Sequence, residues 1–407
     1  MSDKRASLIH HPYTPPEGFA APQPGVYKAS TVFFPNVAAM RSREWKDKTG
    51  YTYGLHGTPT SYVLEERLAT LEGGAQCLLV PSGLAAIATV ALSLLKSGDE
   101  VLIPDNAYGP NKALAQGELK DWGITHQYYD PLDPQDLARR ITARTKLVWL
   151  EAAGSVTLEF PDLREQLRVC RNANGGAGVF TALDNTWGAG LAFNAFDLGA
   201  GEGVDISIHA LTKYPSGGGD VLMGSIVTRD PKLHIRLKLT HMRLGLGVGM
   251  NDVEAVLRAL PSMALRYREH DRTARVLARW CQGRPEVAQV LHPALPGAPG
   301  HAHWRALCGA GEGREELEGL AAGLFSVIFD ARYSPARVDA FCDALHLFRL
   351  GYSWGGPISL VVPYDLAGMR QSRPAHLAPG TLVRFSIGLE AAEDLQADLE
   401  QALAVLA

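Results

Sequence analysis

Short apolar segments alternate with helical patterns along most of the chain, and this alternation constrains the fold more than any other sequence feature. Amphipathic or small-residue helical stretches, such as 162–172, separate the apolar segments. Such alternation predicts an α/β domain with a largely parallel sheet. The strands predicted for this sheet are 77–80, 100–103, 126–129, 146–150, 179–183, 204–209 and 220–227.

Three regions of the chain differ in composition and in predicted secondary structure. Residues 1–62 are rich in proline and predict an extended arm, whereas a helix is predicted over 63–72. The α/β domain is placed at 63–260. A long helical pattern starts at Asn251 or Asp252, which are plausible N-caps, and Pro261 interrupts it, so the domain boundary is placed there. Residues 261–407 predict a smaller α+β domain, with strands 287–291, 324–329, 358–362 and 381–387 and helices near 335–345 and 391–406.

Charge and cysteine content narrow the class of protein. The chain has 39 Lys plus Arg against 43 Asp plus Glu, a net charge of −4, which argues against a nucleic-acid or anionic-membrane partner. The longest apolar stretch, 84–95, is too short for the roughly 20 residues of a membrane span and predicts a buried helix. The N-terminus lacks the apolar core of a secretory signal, so we expect a cytoplasmic protein. The five scattered cysteines predict neither a disulfide framework nor a zinc site, and no metal is expected.

The first candidate site is the turn at Ser82, Gly83 and Leu84, where an apolar strand passes into a small-residue helix. The free backbone N–H groups and the dipole of such a helix start favour an anion such as phosphate. An ordinary strand-to-helix turn has the same appearance. The turn matches neither the dinucleotide motif nor the P-loop motif, so those ligands are disfavoured.

Two further candidates follow predicted strands. Asp184 ends an apolar strand, where it can hold a protonated ring nitrogen or simply cap the next loop. Lys213 follows another strand and precedes three glycines at 217–219. Most lysines are solvated, but a desolvated lysine amine is a usable nucleophile and base. A phosphate turn, an acid for a pyridinium nitrogen and a lysine are together what pyridoxal 5′-phosphate (PLP) requires.

Sequence blocks in matching order extend this interpretation over most of the chain. From Tyr53 to Glu390 the sequence resembles the Cys/Met-metabolism family of PLP-dependent enzymes, and within it the cystathionine β-lyase branch most closely. The resemblance implies the fold type I (aspartate-aminotransferase-like) architecture. The matching blocks are Tyr51-Thr52-Tyr53-Gly54, Leu71-Glu72-Gly73-Gly74-Ala75, Leu183-Asp184-Asn185-Thr186-Trp187, Thr212-Lys213-Tyr214, Tyr352-Ser353-Trp354-Gly355-Gly356 and Leu382-Val383-Arg384-Phe385-Ser386-Ile387-Gly388-Leu389-Glu390.

The resemblance also implies cofactor roles. Lys213 would carry PLP covalently and move protons, Asp184 would pair with the ring nitrogen, and Tyr108 would stack on the ring. The phosphate would be held by Gly83, Leu84 and Thr212, with Tyr53 reaching it from a neighbouring subunit. Lys213, Tyr108 and Tyr53 are the implied catalytic residues. Such shared sites imply a homotetramer built as a dimer of dimers.

Substrate binding is implied at a second set of positions. Arg384 has apolar neighbours and a planar guanidinium suited to an α-carboxylate, although an exposed edge-strand arginine would give the same pattern. Ser353 and Trp354 would assist it, and Trp354 favours β-elimination because γ-specific relatives usually carry leucine there. The implied reaction cleaves the C–S bond of L-cystathionine to L-homocysteine, pyruvate and ammonia, a step of methionine biosynthesis. The alternatives are γ-synthase or γ-lyase chemistry, a broader cysteine-S-conjugate β-lyase, and a non-catalytic PLP-binding protein.

Three positions depart from the family pattern. Leu55, followed by His56, stands where many members have a phosphate-binding arginine, so a bidentate contact is missing. Ala153 replaces a common proline, and Ala210 replaces a common phosphate-binding serine. These departures bear on cofactor affinity rather than on reaction type.

Overall fold

Two β-sheets organise the computed structural model, which describes residues 5–46, 48–176, 178–199, 201–309 and 319–406. The larger sheet has the strand order β1-β7-β6-β5-β4-β2-β3, and the smaller has the order β10-β11-β12-β9-β8. The strands are β1 (Gln76–Val80), β2 (Glu100–Pro104), β3 (Thr125–Tyr129), β4 (Thr145–Glu151), β5 (Phe180–Asp184), β6 (Ile206–Ala210), β7 (Gly224–Thr228), β8 (Val287–Leu291), β9 (Leu324–Phe329), β10 (Arg349–Leu350), β11 (Leu360–Tyr364) and β12 (Leu382–Ser386).

The larger sheet is mainly parallel. Within it β7 alone runs against its neighbours β1 and β6, and the other described pairings are parallel. Helices cover both faces, so apolar residues on both sides of a strand are buried: Cys77 and Leu79 of β1 face one core and Leu78 and Val80 the other. The α/β prediction for this part of the chain is confirmed.

Twelve α-helices are described within these residue ranges. They are α1 (Arg5–Ile9), α2 (Val37–Arg41), α3 (Pro59–Glu72), α4 (Gly83–Leu94), α5 (Gly109–Leu114), α6 (Pro134–Arg140), α7 (Leu163–Asn172), α8 (Pro231–Leu244), α9 (Met250–Gln282), α10 (His301–Cys308), α11 (Pro335–Asp343) and α12 (Ala392–Leu403). Helix α4 packs on one face of the larger sheet, and α3 and α9 pack on the other. Short helical turns lie at Gly54–His56, Ala115–Leu119, Asn174–Gly176, Leu366–Gly368 and Ala404–Leu406.

Helix α3 starts four residues before the predicted helix at 63–72. Thr58 and Ser61 form a capping box, and Pro59 occupies the first turn, where its missing N–H is harmless. The helix ends at Gly73, which has the left-handed φ of 81°. The polar start of α3 carries no apolar periodicity, which is why the pattern placed its beginning too late.

Helix α9 corrects two predictions. It is continuous from Met250 to Gln282 with Pro261 inside it, and its N-cap is Gly249 rather than Asn251 or Asp252. A proline can sit in a helix when tertiary packing compensates for the lost hydrogen bond. The predicted boundary between 260 and 261 therefore falls within one helix, and the division into 1–62, 63–260 and 261–407 stays a prediction.

The smaller sheet forms its own core against the second half of α9 and against α11 and α12. Phe325 of β9 stacks on Phe385 of β12 with ring centroids 5.0 Å apart, and Leu395 of α12 is fully buried in the same cluster. Strand β10 was not predicted, because its two residues are both exposed. This mainly antiparallel sheet with helices on it is the predicted α+β unit.

The N-terminal region has little regular structure before α3. Phe33 is 92% exposed, and Tyr51 and Tyr53 are also exposed. An isolated β-bridge pairs Thr31 with Tyr53 within this region. These side chains are therefore accessible on the surface of the single chain.

Two sequence predictions about composition can be compared with the structure. All five cysteines are free and buried, as expected for small apolar residues. Among the described residues, no helix is both long and apolar enough to cross a membrane.

Candidate active site

Two acids lie side by side at the carboxyl ends of adjacent strands. Glu151 ends β4 and Asp184 ends β5, and the two are register partners. Burial raises the pKa of Asp184, and hydrogen bonds from Thr186 oppose that rise. Burial and the neighbouring charge of Asp184 together raise the pKa of Glu151. A cationic ring nitrogen beside Asp184 would restore its ionised form, so this end of the sheet suits a protonated heterocycle.

Lys213 lies in the turn that follows β6. Its Nζ donates to Ser353 Oγ at 2.9 Å and lies 5.3 Å from the centre of the Trp354 ring. Burial, reinforced by the charge of Arg384 and opposed by Asp184, lowers the pKa of Lys213 to about 8. Because a neutral amine is the nucleophilic form, this lysine is far more reactive near neutral pH than an exposed one.

Close backbone packing brings Ser353 and Trp354 to the lysine. Gly355 has a φ of 79°, and a Cβ there would lie 2.9 Å from Tyr214 N and 3.1 Å from the carbonyl carbon of Lys213. Only glycine tolerates both the angle and the approach. The Trp354 ring packs edge-on against Tyr214, with centroids 5.5 Å apart. The loop from the C-terminal region is therefore fixed over the lysine.

Arg384 lies in the middle of the smaller sheet. Its strand β12 pairs with β11 on one side and β9 on the other, and the residue is 7% exposed, so the edge-strand alternative is wrong. Nη2 donates to the Ser353 carbonyl at 3.4 Å, and the guanidinium lies 5.4 Å from the centre of the Tyr364 ring. Its Nε has no hydrogen-bond partner among the described residues. A buried guanidinium with an unused donor is suited to a carboxylate ligand.

The predicted phosphate turn opens α4. Ser82 caps the helix by accepting from Ala85 N at 3.0 Å. A Cβ on Gly83 would lie 2.7 Å from the Ala210 Cβ, so the turn is pressed against the end of β6. The first N–H groups of a helix have no partners within it, and Gly83 and Leu84 carry two of them. The Thr212 hydroxyl lies 3.4 Å from both Met223 N and Met223 O, in the turn after β6.

Tyr108 precedes α5 at the carboxyl end of β2. Its backbone N donates to Glu151 Oε2 at 2.8 Å, and the residue is 41% exposed. Burial, together with the charges of Asp184 and Glu151, raises the pKa of the Tyr108 phenol. The ring therefore belongs to the same cleft as the two acids and remains open to a ligand.

Tyr53 is the one predicted site residue that stands apart. It pairs with Thr31 and meets the His56 ring edge-on at 6.0 Å, and in the described part of the chain no hydrogen bond or ring contact joins it to Lys213. His56 stacks on Trp45 and shares a hydrogen bond with Thr52. Burial, together with the nearby charge of Lys238, lowers the pKa of His56, which disfavours its cationic form.

A buried hydrogen-bond network that the sequence analysis missed joins Glu72 of α3 to β6 and to the residue after β5. Asn185 Nδ2 and Ser207 Oγ donate to Glu72 Oε2 at 2.7 and 2.9 Å, and His209 Nδ1 lies 3.2 Å from Glu72 Oε1. The network fixes Asn185, the residue after Asp184. Glu151 and Tyr364 were missed as well. An acid at a strand end was the signal used for Asp184, and it would have found Glu151.

These residues fit PLP. The pocket joins a reactive amine, an acid that favours a protonated ring nitrogen, a half-exposed aromatic ring and a helix start against which only glycine fits. A model of the family described as "Cys/Met metabolism PLP-dependent enzyme" matches residues 5–404. The chain belongs to this family. Its cofactor is therefore PLP.

Individual relatives match nearly the whole length of the chain. The chain is 36% identical over 417 residues to a protein of Bordetella avium named cystathionine beta-lyase, with 99% of each chain covered. It is 33% identical over 393 residues to a Wolbachia pipientis protein named L-alanine/L-glutamate racemase, covering 94% of this chain and 92% of the relative. A crystal structure titled metB from Corynebacterium glutamicum superposes with a TM-score of 0.86 at 28% identity, covering 100% and 98% of the two chains. The expected fold type I architecture is confirmed.

Proposed function

We propose that this PLP-dependent enzyme is a cystathionine β-lyase, which converts L-cystathionine and water to L-homocysteine, pyruvate and ammonia. The observation that carries the proposal is the contact between Lys213 and Ser353, whose carbonyl in turn meets Arg384. A reactive amine and a carboxylate-binding cation thus both contact Ser353. The name of the Bordetella relative supports the choice of reaction.

Arg384 orients the substrate. Its guanidinium would bind the α-carboxylate of the amino acid, using the donor Nε that has no partner within the described chain. Because Ser353 contacts both Arg384 and Lys213, a carboxylate held there places the α-carbon next to the amine.

Proton movement is assigned to Lys213. Bound PLP supplies an electron sink that stabilises negative charge at the substrate α-carbon. Lys213 Nζ takes the α-proton, and Ser353 Oγ holds the amine in position for that transfer. Asp184 would hold the ring nitrogen in its protonated form, and Tyr108 would contact the cofactor from the same cleft. The β-carbon to sulfur bond breaks, homocysteine leaves, and the remaining three carbons hydrolyse to pyruvate and ammonia.

A homotetramer with shared sites is part of the proposal. Its support is the exposed N-terminal region, in which Phe33 and Tyr53 are open to solvent. Tyr53 would complete the phosphate site of a neighbouring subunit, together with Gly83, Leu84 and Thr212. The cytoplasmic location expected from the sequence also belongs here, and the five free thiols support it.

Racemisation is the second candidate, because one full-length relative bears a racemase name. Removal of the α-proton by Lys213 is common to both reactions. They differ in whether the β-carbon loses its sulfur, so the products separate them.

The test is incubation of the purified holoenzyme with L-cystathionine, followed by chromatographic identification of the keto acid. We expect pyruvate and homocysteine in equal amounts. Formation of 2-oxobutyrate would mean γ-elimination instead. Parallel incubations with L-alanine and L-glutamate, read on a chiral column, test racemisation. Comparison of cystathionine with cystine and cysteine tests for a broader conjugate lyase, and absence of any product from a PLP-loaded protein would refute the proposal.

A further inference from the structure

A connection in the smaller sheet reaches across to the site. Residues 366–378, here called the strap, join β11 to β12, the strand that carries Arg384. Near its two ends Leu366 and Leu377 are buried in an apolar cluster with Val156, Ile328 and Leu382. Apolar packing therefore anchors the strap at both ends, independently of the polar residues between them.

Two acids of the α/β region face the strap. Asp105 follows β2, and its side chain is 13% exposed, whereas the side chain of Glu159, in the loop after β4, is fully buried. Carboxylates this deeply buried need charged partners, because isolated ionised groups are costly to remove from water.

Arg370 of the strap bridges these two acids. Its Nε donates to Asp105 Oδ2 at 3.0 Å, and its Nη1 donates to Glu159 Oε1 at 2.9 Å and to Thr157 Oγ1 at 3.1 Å. Only 6% of the Arg370 side chain is exposed. The planar fork of arginine can serve two acids at once, which the single ammonium of lysine cannot do in the same geometry.

The bridged acids position the loop that bears Tyr108. Residues 105–108 are here called the Tyr108 loop. Asp105 is its first residue, and Asn106 Nδ2 donates to Glu159 Oε2 at 2.9 Å. Tyr108 N in turn donates to Glu151. Carboxylate contacts therefore fix three of the four loop residues, and Arg370 touches the two acids that hold its first half.

The electrostatics agree with a rigid arrangement. Burial alone would raise the pKa of Glu159, but hydrogen bonds from His376, Thr157 and Asn106 and the charge of Arg370 lower it to about 2. Glu159 is thus ionised across the working range of any enzyme assay, and the bridge stays charged on both sides.

We propose that Arg370 is a positioning residue for the reaction proposed above: its bridge between Asp105 and Glu159 holds the Tyr108 loop in place, and with it the ring that would contact the cofactor. The inference rests on the proposed function for its kinetic test. Arg370, Asp105 and Glu159 are not among the residues to which the family resemblance assigned a role.

Three variants test the bridge in the holoenzyme. Arg370→Met removes both contacts while keeping the length of the side chain. Arg370→Lys keeps the charge but reaches one acid. The matched control is Arg373→Met on the same strap, because exposed Arg373 donates to the backbone carbonyls of Ala378 and Gly380 and to neither acid. Folding of Arg370→Met is expected, since Lys112 remains paired with Asp105 at 3.1 Å and His376 with Glu159 at 3.1 Å.

The readouts are kcat and KM for pyruvate release and the visible circular dichroism of bound PLP, which reports a fixed orientation of the ring. For Arg370→Met we expect kcat to fall about 10- to 100-fold with little change in KM, and the dichroic band to weaken, because small misplacement of a reacting group has effects of this size. Arg370→Lys should lie between that variant and the parent. Arg373→Met should match the parent in both readouts.

A second background tests whether Arg370 acts through Tyr108. Adding Arg370→Met to a Tyr108→Ala protein should change kcat by less than about twofold, because residues that act as a unit are not additive. An equal loss in both backgrounds, or parental kinetics and dichroism for Arg370→Met, would overturn the proposal. If the parent released no pyruvate, the proposed function would fail while the dichroism of the same variants would still decide the role of Arg370.

Discussion

The two sheets contribute different groups to one site, and they hold them differently. The larger sheet presents Glu151 and Asp184 at strand ends and Lys213 in the turn after β6. The smaller sheet presents Arg384 from the middle of a strand that is paired on both sides. Groups at the carboxyl ends of strands can face a ligand that lies across the edge of the sheet. The backbone of Arg384, in contrast, is held by strand pairing on both sides.

This difference separates cofactor chemistry from substrate binding. Changes in the larger sheet should alter the spectrum of bound PLP and the chemical step together. Changes at Arg384 should weaken use of the substrate and leave the cofactor spectrum intact. Ser353 is where the two halves meet, because it contacts both Lys213 and Arg384.

The largest effect is expected for Lys213→Ala. This change removes the covalent link and the base together, so pyruvate release should fall by at least about 1000-fold. The visible band of lysine-linked PLP should also disappear. Absorbance spectroscopy and a coupled pyruvate assay measure both, with surface Lys232→Ala as the control for loss of a lysine. Full turnover by Lys213→Ala would contradict the assignment.

Asp184→Asn should come next. Without the carboxylate the ring nitrogen loses its stabilised proton, and kcat should drop about 100-fold or more. The visible band should shift while PLP remains bound. Stopped-flow absorbance with cystathionine follows both quantities. An unchanged band together with a normal kcat would mean that Asp184 does not face the ring.

Arg384→Gln probes the smaller sheet. Loss of two charge-assisted hydrogen bonds to the substrate carboxylate, worth about 1.5–3 kcal/mol each, should lower kcat/KM by about 10²-fold or more. Arg384→Lys should recover only part of this loss, because lysine lacks the planar fork. The spectrum of bound PLP should stay the same in both variants. A spectral change as large as that of Asp184→Asn would break the division between the two sheets.

The pH dependence of cofactor loading tests the electrostatic link between the sheets. The pKa of Lys213 is lowered to about 8 from its ordinary value of 10.5, so its neutral form increases as pH rises through 8. The rate at which PLP reacts with the apoenzyme should therefore rise up to pH of about 9 and then level off. In Arg384→Gln the midpoint should move upward, because the charge of Arg384 helps lower this pKa. A rate still rising steeply at pH 10 in the parent would contradict the lowered pKa.

The smallest effect is expected for Ser353→Ala. The variant loses one hydrogen bond to the lysine amine, and kcat should fall by about three- to tenfold, in line with a net contribution near 1 kcal/mol. Steady-state kinetics with cystathionine measures this change. A larger loss than for Arg384→Gln would show that Ser353 does more than orient the amine.

The sequence predicted strands such as β1 and β9 because nearly all of their residues are apolar and buried. It failed where local pattern is weak. The start of α3 depends on a polar capping box, and β10 has two exposed residues with no apolar signal.

The site residues, like the strands, were predicted only where the local sequence pattern is clear. Lys213, Asp184 and Arg384 stand in recognisable blocks, so sequence order was enough to select them. Glu159 and Arg370 are 211 residues apart and meet only through the fold. No local motif marks such a pair, and only the three-dimensional structure brings it together.

The most direct test of the central claim locates the cofactor on the chain. The holoenzyme is treated with borohydride, which makes the link between PLP and lysine permanent, and is then digested and analysed by tandem mass spectrometry. The account predicts the added mass on the peptide containing Lys213 and on no other lysine. Modification of a different lysine, or of none in a preparation that releases pyruvate, would contradict it.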